Sequence, residues 1–151
     1  MTKPISTRMH GIIDYTWAAA ASSLAGRING STSTARLLRG AANAATASAL
    51  VTDYECGAVR LLPMKGHLAF DAVLCGALVA SPLFLPSSER RHATIPVLLG
   101  MTGLIAGMLT QTRSPAESEE EFGGLYGGGE RSVVDLEPES VTPPYLPERL
   151  E

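Results

Sequence analysis

The sequence predicts an all-α protein: four transmembrane helices arranged as two tandem helix hairpins, followed by a disordered acidic tail. Three observations predict this fold. Hydrophobic residues make up 45% of the 151 residues and charged residues only 18%, which leaves four long apolar stretches. No alternating run typical of a β-strand occurs in residues 9–112. Charge also divides the chain, since residues 1–112 contain nine Lys/Arg and five Asp/Glu, whereas residues 113–151 contain three Arg and ten acidic residues.

The four apolar stretches are compared with a bilayer, whose hydrocarbon core of ~30 Å needs about 20 apolar residues. The first is interrupted only by Asp14, and the second reaches membrane length only when Arg36 and Arg39 extend their charged ends to the membrane surface. The third carries one acid near its start, Asp71, and the fourth has no formal charge. We therefore predict helices over about 9–26, 34–53, 65–85 and 92–112.

Small residues recur in these stretches at the spacing that lets membrane helices pack closely. Gly103 and Gly107 form a GxxxG pair, and three further pairs repeat the pattern: Ala18 with Ser22, Gly40 with Ala44, and Gly76 with Ala80. Because Gly, Ala and Ser allow helix backbones to approach each other, the pattern predicts tight packing and a homo-oligomer formed through the small-residue faces.

The helical body, residues 1–112, contains an internal repeat. When the sequence is compared with itself at a shift of 57 residues, His10 aligns with His67 and Asp14 with Asp71. At a shift of 60 residues, Thr52 aligns with Thr112. The body is therefore interpreted as two copies of a helix–loop–helix unit, at about 8–53 and 65–112. Each unit crosses the membrane and returns, so both copies have the same orientation.

The tail, residues 113–151, has a different composition. It is rich in Glu, Gly and Pro, and such a segment buries too little apolar surface to offset its ordering entropy. We predict that it is disordered and either solvates the protein or recruits a protein partner.

Two blocks of this sequence resemble the small bacterial SPW-repeat membrane proteins. The first is RMHGIIDY at residues 8–15, and the second is TDYECGAVR at residues 52–60, which continues into LPMKGHLAFD at residues 62–71. Ser81-Pro82-Leu83 stands where that family has Ser-Pro-Trp. The resemblance covers about residues 8–112 and implies an integral membrane fold of paired helices. It implies no activity and no catalytic residues.

The residues best suited to chemistry are the pairs His10/Asp14 and His67/Asp71. In each pair the residues are four apart, so both side chains project from one face of a helix. If the repeats pack about a pseudo-twofold axis, two imidazoles and two carboxylates converge, and such a set would bind a divalent metal, support a haem or relay protons. The alternative is structural: each carboxylate orients the histidine one turn away and satisfies buried polar atoms.

The loop between the second and third predicted helices mixes charged and aromatic residues. Asp53, Tyr54, Glu55, Arg60 and Lys65 lie in or beside it. These residues predict ion pairs within the loop or contacts with lipid headgroups.

Three functions are open on the sequence alone. The first is a small polytopic membrane protein of unknown activity that acts as a non-enzymatic packing or scaffold module. The second is a membrane metal-linked, haem-linked or proton-relay protein, and the third is a soluble four-helix bundle that binds a partner. The chain has no basic arm or stripe for nucleic acid, and no catalytic arrangement is recognisable, which favours a protein that is not an enzyme. The predicted location is the bacterial plasma membrane, with the termini cytoplasmic and the lipid bilayer as the main partner.

Overall fold

A computed structural model describes residues 3–28 and 32–119. Within them the chain forms four α-helices of 16 residues or more, α1 (Thr7–Arg27), α2 (Ser33–Val51), α3 (Met64–Val79) and α4 (Thr94–Leu109), and residues 115–119 are also helical. Two short 3₁₀ helices, Ser81–Leu83 and Ser87–His92, lie between α3 and α4. The described residues contain two isolated β-bridges and no strand, which confirms the all-α prediction for this part of the chain.

Hydroxyl side chains begin the first two helices. The Ser6 hydroxyl accepts a hydrogen bond from the Met9 N–H at the start of α1, at 3.2 Å. The Thr32 hydroxyl accepts from the Ala35 N–H at the start of α2, at 3.1 Å. Each bond satisfies one of the N–H groups that have no partner within the helix, which explains why both helices begin at these residues.

Acidic side chains from distant positions in the chain also cap α2 and α3. Glu89 accepts from the backbone N–H groups of Thr34 (2.8 Å) and Ser33 (3.0 Å), and Glu117 accepts from the N–H of Met64 (2.8 Å). The backbone donors of Thr34 and Ser33 lower the pKa of the Glu89 carboxyl below its ordinary value. These contacts tie the second 3₁₀ helix to α2 and the residues after α4 to the start of α3.

The two hairpins close on each other through matching backbone hydrogen bonds. The segment before α1 pairs with the end of α4, and the segment before α3 pairs with the end of α2. The four bonds run from Ile5 N–H to the Leu109 carbonyl (3.1 Å), from Gln111 N–H to Ile5 (2.9 Å), from Leu62 N–H to Val51 (2.9 Å) and from Asp53 N–H to Leu62 (2.8 Å). Ile5 before α1 corresponds to Leu62 before α3, and these two residues are 57 positions apart. Gln111 after α4 corresponds to Asp53 after α2, and these two are 58 positions apart.

These bonds correct one detail of the predicted repeat. The shift of 60 residues aligned Thr52 with Thr112, but the bonds make Thr52 equivalent to Thr110. Both residues end a helix in extended conformation, and both form one of the isolated bridges. The shift of 60 is therefore wrong at the helix ends, where the backbone pairing requires 58.

Helix α1 packs mainly on α2, and α3 packs mainly on α4. Small residues make both contacts. A Cβ atom at Gly100 would collide with the Cys75 carbonyl oxygen, and one at Gly103 would collide with the Cys75 sulfur, whereas Gly107 has no neighbour within 4 Å of that position. Close packing at the GxxxG pair is therefore made by its first glycine alone. The α1–α2 contact is made by buried alanines, namely Ala18, Ala21, Ala42 and Ala45.

No helix in residues 3–28 or 32–119 combines the length and the apolar character needed to cross a membrane. The four helices predicted from the sequence are present among these residues, and their crossing of a membrane stays a prediction. Helices α3 and α4 have 16 residues each, or about 24 Å at ~1.5 Å per residue. Helix α3 is shorter than the predicted 65–85 because the 3₁₀ helix Ser81–Leu83 follows it, and α4 is shorter than the predicted 92–112 because it starts after the second 3₁₀ helix and ends before the extended Thr110.

The predicted boundary of the tail also differs from the structure. Residues 115–119 are helical, and Glu117 accepts hydrogen bonds from the N–H groups of Met64 and Ser114. The chain is therefore held against α3 beyond residue 113. The rest of the predicted disordered tail, residues 120–151, lies outside the described residues.

Candidate metal centre

Four ionisable side chains from α1 and α3 meet inside the bundle, and we call them the His/Asp cluster. Nε2 of His10 lies 3.2 Å from Oδ2 of Asp71 and 3.5 Å from Oδ1 of Asp14. Nε2 of His67 lies 3.0 Å from Oδ2 of Asp14 and 3.1 Å from Oδ2 of Asp71. Each carboxylate therefore faces both imidazoles, and one ligand atom from each residue lies within 4.8 Å of the other three.

The cluster is buried, but its histidine and aspartate side chains differ in their exposure to solvent. The side chains of His10 and His67 are 2% and 0% exposed, whereas those of Asp14 and Asp71 are each 12% exposed. The two rings are perpendicular, with an interplanar angle of 89° and centroids 5.4 Å apart. The imidazoles thus form the closed side of the cluster and the carboxylates its accessible side.

Threonine hydroxyls at the ends of α2 and α4 hold the far nitrogen of each imidazole. The Thr110 oxygen lies 2.8 Å from Nδ1 of His10 and donates its own proton to the Ala106 carbonyl at 2.7 Å. A hydroxyl whose single proton is already donated accepts from its other neighbour. The network therefore assigns a proton to Nδ1 of His10, which donates to Thr110.

His67 is held in the same way. The Thr52 oxygen lies 2.9 Å from Nδ1 of His67 and donates its proton to the Ser48 carbonyl at 2.6 Å. The Ser48 hydroxyl lies 3.1 Å from the same nitrogen and offers a second acceptor. Both histidines therefore carry a proton on Nδ1 and direct Nε2 at the carboxylates.

With this tautomer the cluster needs positive charge between its imidazole nitrogens and its carboxylate oxygens. An unprotonated Nε2 and a carboxylate oxygen are both acceptors, so at 3.0–3.5 Å they repel unless a positive charge lies between them. Two neutral imidazoles and two carboxylates carry a net charge of about −2, which is costly to bury without compensation. Either protons shared between Nε2 and oxygen or a divalent cation bound by all four groups removes the repulsion.

The pKa shifts describe the protonated state of the cluster. Burial lowers the pKa of His67, but hydrogen bonds to Asp14 and Asp71 and their charges outweigh it and raise the pKa to about 9. Burial likewise raises the pKa of Asp71, but hydrogen bonds from His10 and His67 outweigh it, and the net direction is down. For Asp14 burial is the larger effect, and its pKa is raised. A proton therefore remains on His67 at neutral pH when no cation displaces it.

The donor set fits a transition-metal ion. Zinc bonds to nitrogen and oxygen are ~2.0–2.1 Å long, so the ligand atoms of one ion lie within a few ångströms of one another, and here one ligand atom from each of the four residues lies within 4.8 Å of the other three. Mixed imidazole and carboxylate ligands are typical of zinc and ferrous iron. The cavity beside the cluster has a volume of about 20 Å³, so it does not admit a haem.

Tyr54 covers the closed side of the cluster. Its ring is tilted against that of His67, with centroids 5.7 Å apart, and the residue is only 3% exposed. Its hydroxyl is buried and has no hydrogen-bond partner among the residues that the structure describes. Burial, and then the charge of Asp14, raises the pKa of the phenol. The residue predicted to contact headgroups therefore lies in the core.

Two of the other loop residues from the sequence prediction pair with each other. Asp53 forms an ion pair with Arg60, with Oδ1 and Nε 3.4 Å apart. Glu55 accepts a hydrogen bond from the Thr7 hydroxyl at 2.8 Å, and Lys65 is exposed. The structure thus contains one of the ion pairs expected in the loop, and Asp53, Tyr54, Glu55 and Arg60 line one pocket.

Sequence reasoning found the four members of the cluster but missed the hydroxyls behind them. Thr52, Thr110 and Ser48 decide the tautomer of both histidines. A signal was present, because a threonine ends the second apolar stretch of each repeat, 58 residues apart. The shift of 60 concealed it by pairing Thr52 with Thr112. No protein-family model, no curated protein and no solved structure matches this chain.

Proposed function

We propose that the protein is a small helical metalloprotein that binds one divalent transition-metal ion, zinc or ferrous iron, through His10, Asp14, His67 and Asp71. The observation that carries the proposal is the tautomer of the two histidines. Each Nδ1–H donates to a threonine hydroxyl, so when both rings are neutral the two Nε2 lone pairs and the two carboxylates face one another, and only shared protons or a bound cation balance their charge.

Two further features support a metal rather than a purely structural cluster. A hydroxyl behind each ligand histidine fixes its orientation, as the outer contacts of metal sites usually do. Each carboxylate also faces the histidine of the other helix at 3.0–3.2 Å, so the groups are shared between α1 and α3. If each Asp only oriented the His of its own helix, this sharing would not be needed.

The test is the metal content of the purified full-length chain. We expect about one equivalent of zinc or iron per chain, removable by a chelator and restored by adding the ion. The Asp14→Asn variant keeps the size of the side chain and loses the charge, and we expect its metal affinity to fall at least tenfold. Asp53→Asn is the matched control, because Asp53 pairs with Arg60 outside the cluster, and it should bind metal as wild type does.

Either of two results would overturn the proposal. One is a folded wild-type chain, checked by circular dichroism, that takes up neither Zn²⁺ nor Fe²⁺ nor the spectroscopic probe Co²⁺. The other is equal metal binding by the Asp14→Asn and Asp53→Asn variants. In both cases shared protons would be the charges that hold the cluster together.

The location expected from the sequence is a second proposal, favoured by a different observation. Large apolar side chains on α4 recur at positions 98, 101, 105 and 108, which share one face of the helix, and Leu98 and Met108 are 62% and 66% exposed. On α3, Val73 is 74% exposed. Such a patch is typical of surfaces that meet a membrane or another protein, and it supports membrane association through α3 and α4.

Detergent phase partitioning tests this location. We expect the wild-type chain in the detergent phase, and the Val73→Ser, Leu98→Ser, Met108→Ser triple variant to move towards the aqueous phase. Recovery of folded wild-type protein in the aqueous phase would contradict membrane association. It would leave the metal proposal untouched, because the substituted side chains lie outside the cluster.

A further inference from the structure

A small cavity borders the His/Asp cluster on one side. Its volume is about 20 Å³, and its walls include His10, Asp14 and Asp71 together with Trp17, Leu74 and Cys75. A cavity of this kind needs about 10–15 Å³ to hold one water molecule. This cavity therefore accommodates one water-sized molecule and no organic substrate.

The cavity lies on the side of the cluster opposite His67. Three of the four cluster residues line it, and His67 does not. The His67 ring is closed off by Tyr54 and by the hydroxyls of Ser48 and Thr52. Within the cluster the carboxylates are more exposed than the imidazoles. An ion bound by all four residues therefore has one face turned towards the cavity.

The far wall of the cavity is apolar. Trp17 has one N–H group, and it donates to the Leu99 carbonyl at 3.0 Å, so it offers no donor to a molecule in the cavity. Burial raises the pKa of Cys75 to about 11, which keeps its sulfur as a neutral thiol. A charged ligand would find no counter-charge on this wall, and the two carboxylates opposite would repel an anion.

From these observations we propose, building on the metal centre above, that the ion keeps one open coordination position facing this cavity, and that the position takes a neutral ligand of one or two heavy atoms. Water and the neutral diatomic gases belong to this class. Anions of three or more atoms are excluded by the volume of the cavity and by the carboxylates of Asp14 and Asp71.

Nitric oxide is the probe, because it is neutral and diatomic and gives ferrous sites a distinctive paramagnetic resonance signal. The full chain is loaded with Fe²⁺ without oxygen, its iron content is measured, and nitric oxide is then titrated. We expect one nitrosyl per iron, and no change in the nitrosyl titration when azide is present in excess. Stoichiometric iron with no nitrosyl signal, or displacement of nitric oxide by azide, would overturn the inference and leave the metal proposal standing. Failure to bind iron, zinc or cobalt would instead remove the metal proposal.

Variants with a larger side chain in the cavity test whether nitric oxide binds there. Ala45 lines the cavity from α2, so Ala45→Val should weaken nitric oxide binding at least tenfold while iron content is retained. Ala47→Val is the matched control, because Ala47 is exposed on the same helix. If Ala45→Val does not fold, Ala106→Val fills the same cavity from α4. Wild-type nitric oxide affinity in a folded, iron-loaded cavity-filling variant would show that the ligand binds elsewhere.

Discussion

Replacing Thr110 with valine should damage the metal centre more than the same replacement at Thr52. Both threonines end a helix with nearly equal backbone angles, φ −85° and ψ 141° at Thr110 and φ −83° and ψ 139° at Thr52. Valine keeps the branched shape and removes only the hydroxyl. Each substitution therefore deletes one acceptor for a histidine Nδ1–H and one donor to a helix carbonyl.

The difference comes from what remains around each histidine. After Thr110→Val the Nδ1–H of His10 has no partner among its described contacts, and an unsatisfied buried donor costs about 1–3 kcal/mol. After Thr52→Val the Nδ1–H of His67 keeps the Ser48 hydroxyl, 3.1 Å away. That variant loses the hydrogen bonds of Thr52 to His67 and to the Ser48 carbonyl, each worth about 0.5–1.5 kcal/mol, but it leaves no buried N–H without an acceptor. Loss of an outer contact of this kind also reduces metal affinity by roughly 10–100-fold.

Denaturant unfolding of the metal-free protein and competition titration of the metal measure the two effects. We expect Thr110→Val to be the less stable variant and the weaker binder. Ser48→Ala combined with Thr52→Val should remove the second acceptor and match the loss at Thr110. A Thr52→Val variant that is as damaged as Thr110→Val, or more so, would refute the assigned tautomers and the asymmetry between them.

Three further predictions follow from single contacts. Glu89→Gln should lower stability at neutral pH, and its difference from wild type should disappear as pH falls. A carboxyl whose pKa is lowered on folding stabilises the fold above its ordinary pKa of 4.5 and ceases to do so once it is protonated. Unfolding curves measured across pH check this, with Glu119→Gln, at an exposed position, as the control that should match wild type. Tyr54→Phe should leave the free energy of unfolding unchanged or raise it, because the Tyr54 hydroxyl has no partner among the described residues. Tyr15→Phe should lower it by about 0.5–1.5 kcal/mol, because it removes a hydrogen bond to the Cys56 carbonyl. If thermal unfolding shows Tyr54→Phe to be the less stable variant, these hydrogen-bond assignments are wrong. Zinc affinity should rise as pH increases from 6.5 towards 9, because the metal must displace the proton held by His67; an affinity independent of pH would mean that no such proton is present.

The cluster could be predicted from the sequence because its information is local and repeated. Residues four apart on a helix share a face whatever surrounds them, so His10 with Asp14 and His67 with Asp71 were identifiable without a structure. The all-α class follows from equally local properties, the long apolar stretches and the absence of strand patterns. The resemblance to SPW-repeat proteins, the tail partner and the small-residue oligomer stay predictions.

Helix ends were less predictable because they depend on contacts between distant residues. The sequence continued α3 to residue 85, whereas the chain leaves the α-helix after Val79 and enters a 3₁₀ helix that begins at Ser81. The start of α3 depends on Glu117, a residue assigned to the tail, which accepts from the Met64 N–H. Apolar patterning carries no signal for such a contact.

Residue types and their spacing along the chain are enough to identify the side chains with the chemistry of a site, and to show that they come in two related sets. The folded arrangement is needed to show that each carboxylate faces both histidines and that Thr52 and Thr110 fix the proton on Nδ1. A tautomer and a shared charge depend on distances between groups 15 to 100 residues apart, and such distances are not written in local sequence patterns. The composition of the helical body, apolar and mildly basic on average, contains within it a buried cluster whose two carboxylates need positive charge.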